Sequence, residues 1–273
     1  MQPERDRANR HAWGSRSVAE IFVRREGFIN QAEAQMIQRL AREVRGQPIL
    51  DIGVGGGRTT TLLRSISADY VGIDYLESLV QAARRRHPDV RYEHMDARDL
   101  SAFGDGSFAL VVFSHNGIDG LSHHDRRIVV AETHRVLRPR GLFAYSTMNL
   151  EYRGAGHRPA FAHWRLALRR PVRALRYALA LPGLSLKRRR LASLSESGPD
   201  WATFATLAYG SPVIWHHVSL NGGLRELHEA GFATVELYGG SDVVVFGLGA
   251  EDSRWGLLDT RGWPSLHLVA RKA

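Results

Sequence analysis

The 273-residue chain predicts an α/β fold, a doubly wound parallel sheet with a mostly helical cap inserted into it. Three observations carry that expectation. Short apolar runs alternate with stretches of helical periodicity over the first 150 residues, the pattern of parallel crossover units. A glycine-rich turn follows the first apolar run, where open α/β sheets bind ligands. The alternation breaks between residues 151 and 215 and then resumes.

Residues 17 to 45 place Ala34, Ile37, Leu40, Ala41 and Val44 at three- and four-residue spacing, an amphipathic helix ending near Gly46 and Pro48. The stretch PILDIGVGGGRTTTLLRSI then reads as strand, loop and helix. YVGID precedes the helical YLESLVQAARRRH, VRYEHMD precedes a loop, and FALVVFS precedes HHDRRIVVAETHRVL, with GLFAYSTMN as the next strand. Between 151 and 215 the segment RLALRRPVRALRYALAL is helical on both sides of Pro171. VIWHHVSL is a strand or extended segment, NGGLRELHEAGF a helix, and ATVELYG, VVVFGLG and PSLHLVARK are strands. The expected organisation is an N-terminal helical lid (1–45), a ligand-binding core (46–150), a basic helical cap (151–215) and the rest of the core (216–273). Trp13, Phe22 and Phe28 in the first segment fit either a lid over bound ligand or one more helix packed on the sheet.

Hydrophobic residues at 44% and charged residues at 24% are ordinary globular values, which argues against extended disorder, collagen or coiled coil. The absence of cysteine excludes disulfides, thiolate metal sites, Fe–S clusters and a cysteine nucleophile. A charged N-terminus and the lack of any run of about eighteen apolar residues predict a soluble, cytoplasmic chain without an integral membrane segment. Of the net charge of +9, the segment from Glu151 to Trp215 supplies +8, with eleven Lys or Arg against three acids. That cap suits an anionic small-molecule acceptor, RNA or a membrane surface, or is a solvated helical face; interleaved leucine and arginine are the pattern of interfacial helices. Only Trp164 and Tyr177 stand ready to stack bases along it, which disfavours nucleic acid.

The loop Ile49-Leu50-Asp51-Ile52-Gly53-Val54-Gly55-Gly56-Gly57 lets backbone approach a ligand. A dinucleotide fingerprint closing from Gly53 would need glycine where Arg58 stands, and no G-K-[ST] marks a P-loop. Asp74 ends a strand twenty-three residues after Asp51, where a carboxylate accepts from ribose hydroxyls, and Asp96 ends the next, twenty-two residues on. Each alone also reads as a helix cap. Three carboxylates at near-equal spacing line one edge of the sheet.

With these motifs in order, the chain resembles the class I S-adenosylmethionine (SAM)-dependent methyltransferases: LDIGVGGGRTT, VGIDYLESLV, MDARDL, SFALVVFSHNGID and HRVLRPRGLFAYSTMN are similar to their successive motifs over residues 45 to 150. The resemblance implies a Rossmann-like seven-stranded sheet with a C-terminal antiparallel hairpin. It implies that Asp51 and Gly53 hold the amino acid end of the cofactor above Gly55, that Asp74 takes the ribose diol, and that Tyr75 flanks the adenine. Asp96 and the backbone of Ala97 would meet the adenine edge, and Ser114 and His115 the methionine portion. Arg140 departs from the family's usual glycine in the turn before the fifth strand.

Methyl transfer needs an aligned acceptor and, for a hydroxyl or amine, removal of a proton. Candidate groups are His115, at a strand end beside the cofactor, and His217 with Tyr209, where the cap rejoins the core; cofactor orientation and cap packing are the respective alternatives. Asn116 is a candidate hydrogen-bonding partner, while Asp119-Gly120 reads as a turn. His123 and His124 read as a solvated helix start, because adjacent helical residues point about 100° apart and cannot share an ion; no metal is expected. The expected function is methyl transfer from SAM to an oxygen or nitrogen of a small molecule, in particular a secondary metabolite. RNA or protein methylation and non-catalytic SAM binding are the alternatives, and a homodimer is left open.

Overall fold

The structure is a computed structural model that describes residues 3–14, 29–153, 171–208, 211–239, 242–248 and 258–273. In chain order the helices are α1 (Pro3–Trp13), α2 (Gln31–Val44), α3 (Thr60–Ile66), α4 (Glu77–Arg86), α5 (His123–Val136), α6 (Pro171–Ala192) and α7 (Leu220–Glu229). The strands are β1 (Ile49–Ile52), β2 (Tyr70–Asp74), β3 (Arg91–His94), β4 (Phe108–Phe113), β5 (Leu137–Met148), β6 (Trp201–Ala208), β7 (Ser211–Val218), β8 (Phe232–Gly239), β9 (Asp242–Gly247) and β10 (Ser265–Lys272).

Eight strands form one sheet in the order β3-β2-β1-β4-β5-β10-β8-β9. β1 to β5 run parallel, and β10 is antiparallel to both β5 and β8. The expected count of seven is corrected to eight, because the β-branched run Val243–Val245 zips antiparallel onto the free edge of β8. Strand order reverses between β1 and β4, which leaves a crevice at their carboxyl ends.

β1 and β4 are buried on both faces, hence the unbroken apolar run of β4 and the apolar run of β1, broken only by Asp51. One face packs Met36, Ile37 and Leu40 of α2, Leu63 of α3 and Val80 of α4 against Ile49, Leu110 and Val112. The other packs Val129 and Val130 of α5 and Leu224 of α7 against Leu50, Val111 and Phe143. Side-chain caps start three helices: Asn30, Ser122 and Ser219 accept from the backbone N–H three residues on. Arg140 takes φ 61°, so the arginine adopts the left-handed conformation that glycine favours at that turn.

Between β5 and α7 the described residues form α6 packed on an antiparallel hairpin of β6 and β7. Sequence reading missed β6, and the hairpin runs on through Val218. α1 lies across β7 and the end of the loop between β4 and α5.

Candidate cofactor site

The carboxyl ends of β1, β2, β3 and β4 open on a cavity of about 140 Å³. Its floor is the turn after β1, where Gly53, Gly55 and Gly57 take φ of 66°, 56° and 84°. A Cβ on Gly53 would lie 2.8 Å from the Phe113 ring, so backbone and ring close on each other only because the residue is glycine. Gly53, Gly55, Asp74, Tyr75, Asp96, Ala97, Ser114 and His115 all line this one cavity.

Asp74 is buried at the end of β2. Its two oxygens accept from the backbone N–H groups of Gly55 and Leu76, each at 2.9 Å. Burial pushes the carboxyl up to about 6, against the pull of those N–H donors. A carboxylate offers about four acceptor positions, so Asp74 keeps capacity for hydroxyl donors.

Asp96 is engaged differently. Oδ1 accepts from the backbone N–H and Nε of Arg98, and Oδ2 from Nη2 of Arg98 and Nη2 of Arg10, at 2.7 to 3.1 Å. Burial raises the carboxyl, but these arginines outweigh it and hold it below the ordinary range. Arg10 also lies over the Tyr75 ring, 4.6 Å from its centroid. A fifth donor at Asp96 must displace one of these.

Asp51 does not line the cavity. It is fully buried behind the loop, where Oδ2 accepts from Thr59 Oγ1 at 2.6 Å and Tyr70 OH at 2.9 Å. Burial pushes its carboxyl up to about 6. It braces the glycine turn against the first residue before α3.

Arg58, which entered the sequence reading only as a mismatch to a dinucleotide fingerprint, lines the cavity. It is buried in a bidentate pair with Glu33 of α2 at 2.7 and 3.1 Å, and donates to Ser114 Oγ at 2.7 Å. The signal in the sequence was its position directly after Gly57.

His115 and Asn116 follow β4 with φ of 54° and 57°, two successive non-glycine residues in the left-handed region. Such backbone costs on the order of 1–3 kcal/mol per residue and concentrates at functional sites. Asn116 anchors it: its N–H donates to Ser146 Oγ at 2.8 Å and its Nδ2 to Ser265 Oγ at 3.0 Å. The 3₁₀ turn Gly117–Gly120 comes next. Its Asp119 is buried, accepting from Arg126 Nη1, Thr147 Oγ1 and the Met148 N–H, so the expected turn is there and is locked into the core.

Over the cavity lie Trp13 of α1 and Trp215 of β7, packed edge to face with centroids 5.1 Å apart. His217, two residues on, is buried against Phe204 and does not line the cavity; burial pushes its imidazole down to about 4. Tyr209 lies outside the described residues. His123 is not the expected solvated helix start, since its ring stacks on Trp201 at 4.1 Å and its Nδ1 is 3.2 Å from His216 Nε2. His124 is exposed. Among the described residues no cluster of three His, Cys, Asp or Glu is placed to hold a metal.

Residues 49–141 match the family model of a methyltransferase domain. A probable S-adenosylmethionine-dependent methyltransferase of Mycolicibacterium smegmatis is 36% identical over 112 residues, 41% of this chain and 42% of that protein. A demethylmenaquinone methyltransferase of Renibacterium salmoninarum is 29% identical over 196 residues, 68% of this chain and 75% of the relative. The chain spans 42% and 46% of the length of the first two curated relatives it matches. A crystal structure of an S-adenosylmethionine-dependent methyltransferase from Mesorhizobium loti superposes with TM-score 0.55 at 21% identity, over 89% of this chain and 99% of the other.

Sheet order, glycine turn and these matches define residues 49–141 as a class I S-adenosylmethionine-dependent methyltransferase domain, whose cofactor is SAM. The residues present fit that group: a glycine turn whose left-handed backbone lines the cavity, and a buried carboxylate with acceptor capacity on the same cavity. No helix among the described residues is long and apolar enough to cross a membrane.

Proposed function

We propose that the protein transfers a methyl group from SAM to an oxygen or nitrogen of a small, largely apolar molecule. The observation that carries this reading is the convergence of the glycine turn, Asp74, Ser114 and His115 on one cavity roofed by two tryptophans. In it, Gly53 and Gly55 admit the cofactor, Asp51 braces their turn, and Asp74 accepts from the ribose diol. Tyr75 and Ala97 flank the adenine, and Asp96 receives its amino group by releasing Arg10. Arg58, held by Glu33, faces the amino acid end beside Ser114. Bound SAM supplies an electrophilic methyl group on a sulfonium. His115 takes the acceptor's proton, and Trp13 and Trp215 exclude water and press the acceptor into line.

Residues 46–150 then serve as the cofactor core, while the N-terminal segment and the cap shape the acceptor pocket. The relative named for demethylmenaquinone supports a lipophilic ring as acceptor, as does the aromatic roof. The test is transfer of label from methyl-labelled SAM to a panel of hydroxylated and amino aromatic compounds. The His115→Asn variant, which tolerates the left-handed backbone, should bind SAM within a few-fold of wild type and transfer roughly 10²- to 10⁴-fold more slowly. SAM binding with no S-adenosylhomocysteine formed across the panel contradicts the reading.

A further inference from the structure

α6 packs one side on the β6–β7 hairpin and turns the other to solvent. At 100° per residue, Leu181, Leu184 and Leu191 share one face, and all three are half-buried. Leu179, Gly183, Leu186 and Arg190 fall on the opposite face, flanked by Pro182, Lys187 and Arg189. All seven of these are exposed, Leu179 by 74% and Leu186 by 53%. Singly exposed leucines are unremarkable. Here two of them, seven residues apart, lie in line along one helix and end on four consecutive cations, Lys187 to Arg190. None of those cations makes an ion pair among the described residues.

We propose that this outward face of α6 docks on an anionic lipid bilayer, the leucines entering the acyl boundary and the cations meeting lipid phosphates. Charge complementarity carries the choice of partner. The segment 151–215 holds +8 of the chain's +9 charge, so the attraction is concentrated on the cap. Nucleic acid would also meet the cations, but from Leu179 to Ala192 there is no aromatic side chain to stack a base, and the exposed leucines would gain nothing there. The hairpin that α6 covers carries Trp215 into the cavity, so docking would set the acceptor end of the site close to the lipid surface. The proposal does not depend on which acceptor is methylated.

The test is co-sedimentation of the full chain with phosphatidylglycerol-containing vesicles and with pure phosphatidylcholine vesicles. Wild type should partition to the anionic vesicles only, and less so as salt rises towards about 0.5 M. Lys187→Ala/Arg189→Ala/Arg190→Ala should lower the partition on the order of a hundredfold. Leu179→Ser/Leu186→Ser, with every charge retained, should lower it about tenfold or more. Both variants should melt as wild type does, because the substituted side chains face away from the hairpin. Failure of wild type to bind anionic vesicles overturns the proposal, as does binding that ignores the leucine change. So does a gel shift of single-stranded RNA, or a dimer lost on the leucine change, in a protein that leaves the vesicles untouched.

Discussion

Asp74 is held at about 6 by burial, above the ordinary carboxylate value. It therefore protonates as pH falls through 6, whereas hydroxyl donors of a bound ribose favour the ionised form. Ligand binding then pulls the group back towards ionisation, and affinity is greatest above pH 6 and falls by up to tenfold per pH unit below it. The dissociation constant for SAM should weaken about tenfold between pH 7 and pH 5, and the Asp74→Asn variant should show a flat profile; a sloping profile in that variant would assign the titration elsewhere. At this scale the glycine turn and the strand-end acids were legible because each motif is local and contiguous. Arg10 was not, since its partner Asp96 lies 86 residues away, and neither was the pairing of Arg58 with Glu33, 25 residues back. No periodicity records such contacts.

Among the elements, α1 shows how a helix can be present without an apolar stripe. Its sequence PERDRANRHAW is strongly polar; it falls inside the helical lid expected over 1–45, but no apolar spacing marks a helix before residue 17. It is held instead by Asn9, whose Nδ2 donates to the Gly120 and Ile214 carbonyls and whose Oδ1 accepts from the Ile214 N–H, and by Arg5, which donates to the Leu121 carbonyl. The lid expectation also rested on Phe22 and Phe28, which lie outside the described residues. Asn9→Leu leaves three backbone groups unpaired, two of them on fully buried Ile214, at a cost of about 1–3 kcal/mol for such a loss. Amides of residues 3–13 should then exchange faster with solvent while those of β1 and β4 stay protected; unchanged exchange in α1 would show that other contacts hold it. β6 escaped the sequence reading for a related reason: with one side on α6 and its edge on β7, it needs no strict alternation of polar and apolar residues.

Across the molecule, one buried ionic network joins parts distant in sequence. Arg126 of α5 is fully buried and reaches Asp119 in the 3₁₀ turn, Thr147 of β5 and Glu226 of α7. Burial pushes the Asp119 carboxyl up to about 7 even with the guanidinium beside it. Removing one member leaves the others as uncompensated buried charges, a loss of roughly 3–5 kcal/mol. Arg126→Leu should therefore lower the melting temperature on the order of 10 °C, and a shift of a degree or two would show the network to be dispensable. In the sequence, Arg126 and Glu226 read as ordinary polar positions of amphipathic helices. Parallel order was visible from the alternation of runs, whereas the network that binds turn, sheet and helices depends on geometry that the fold alone creates.

The central claim is that the cavity over the glycine turn binds SAM through Asp74. Calorimetric titration of wild type and Asp74→Ala with SAM and S-adenosylhomocysteine tests it most directly. The structure predicts micromolar binding to wild type, weakened tenfold or more in the variant, about 1.4 kcal/mol. No binding of either ligand, or equal affinity in the two proteins, would contradict it.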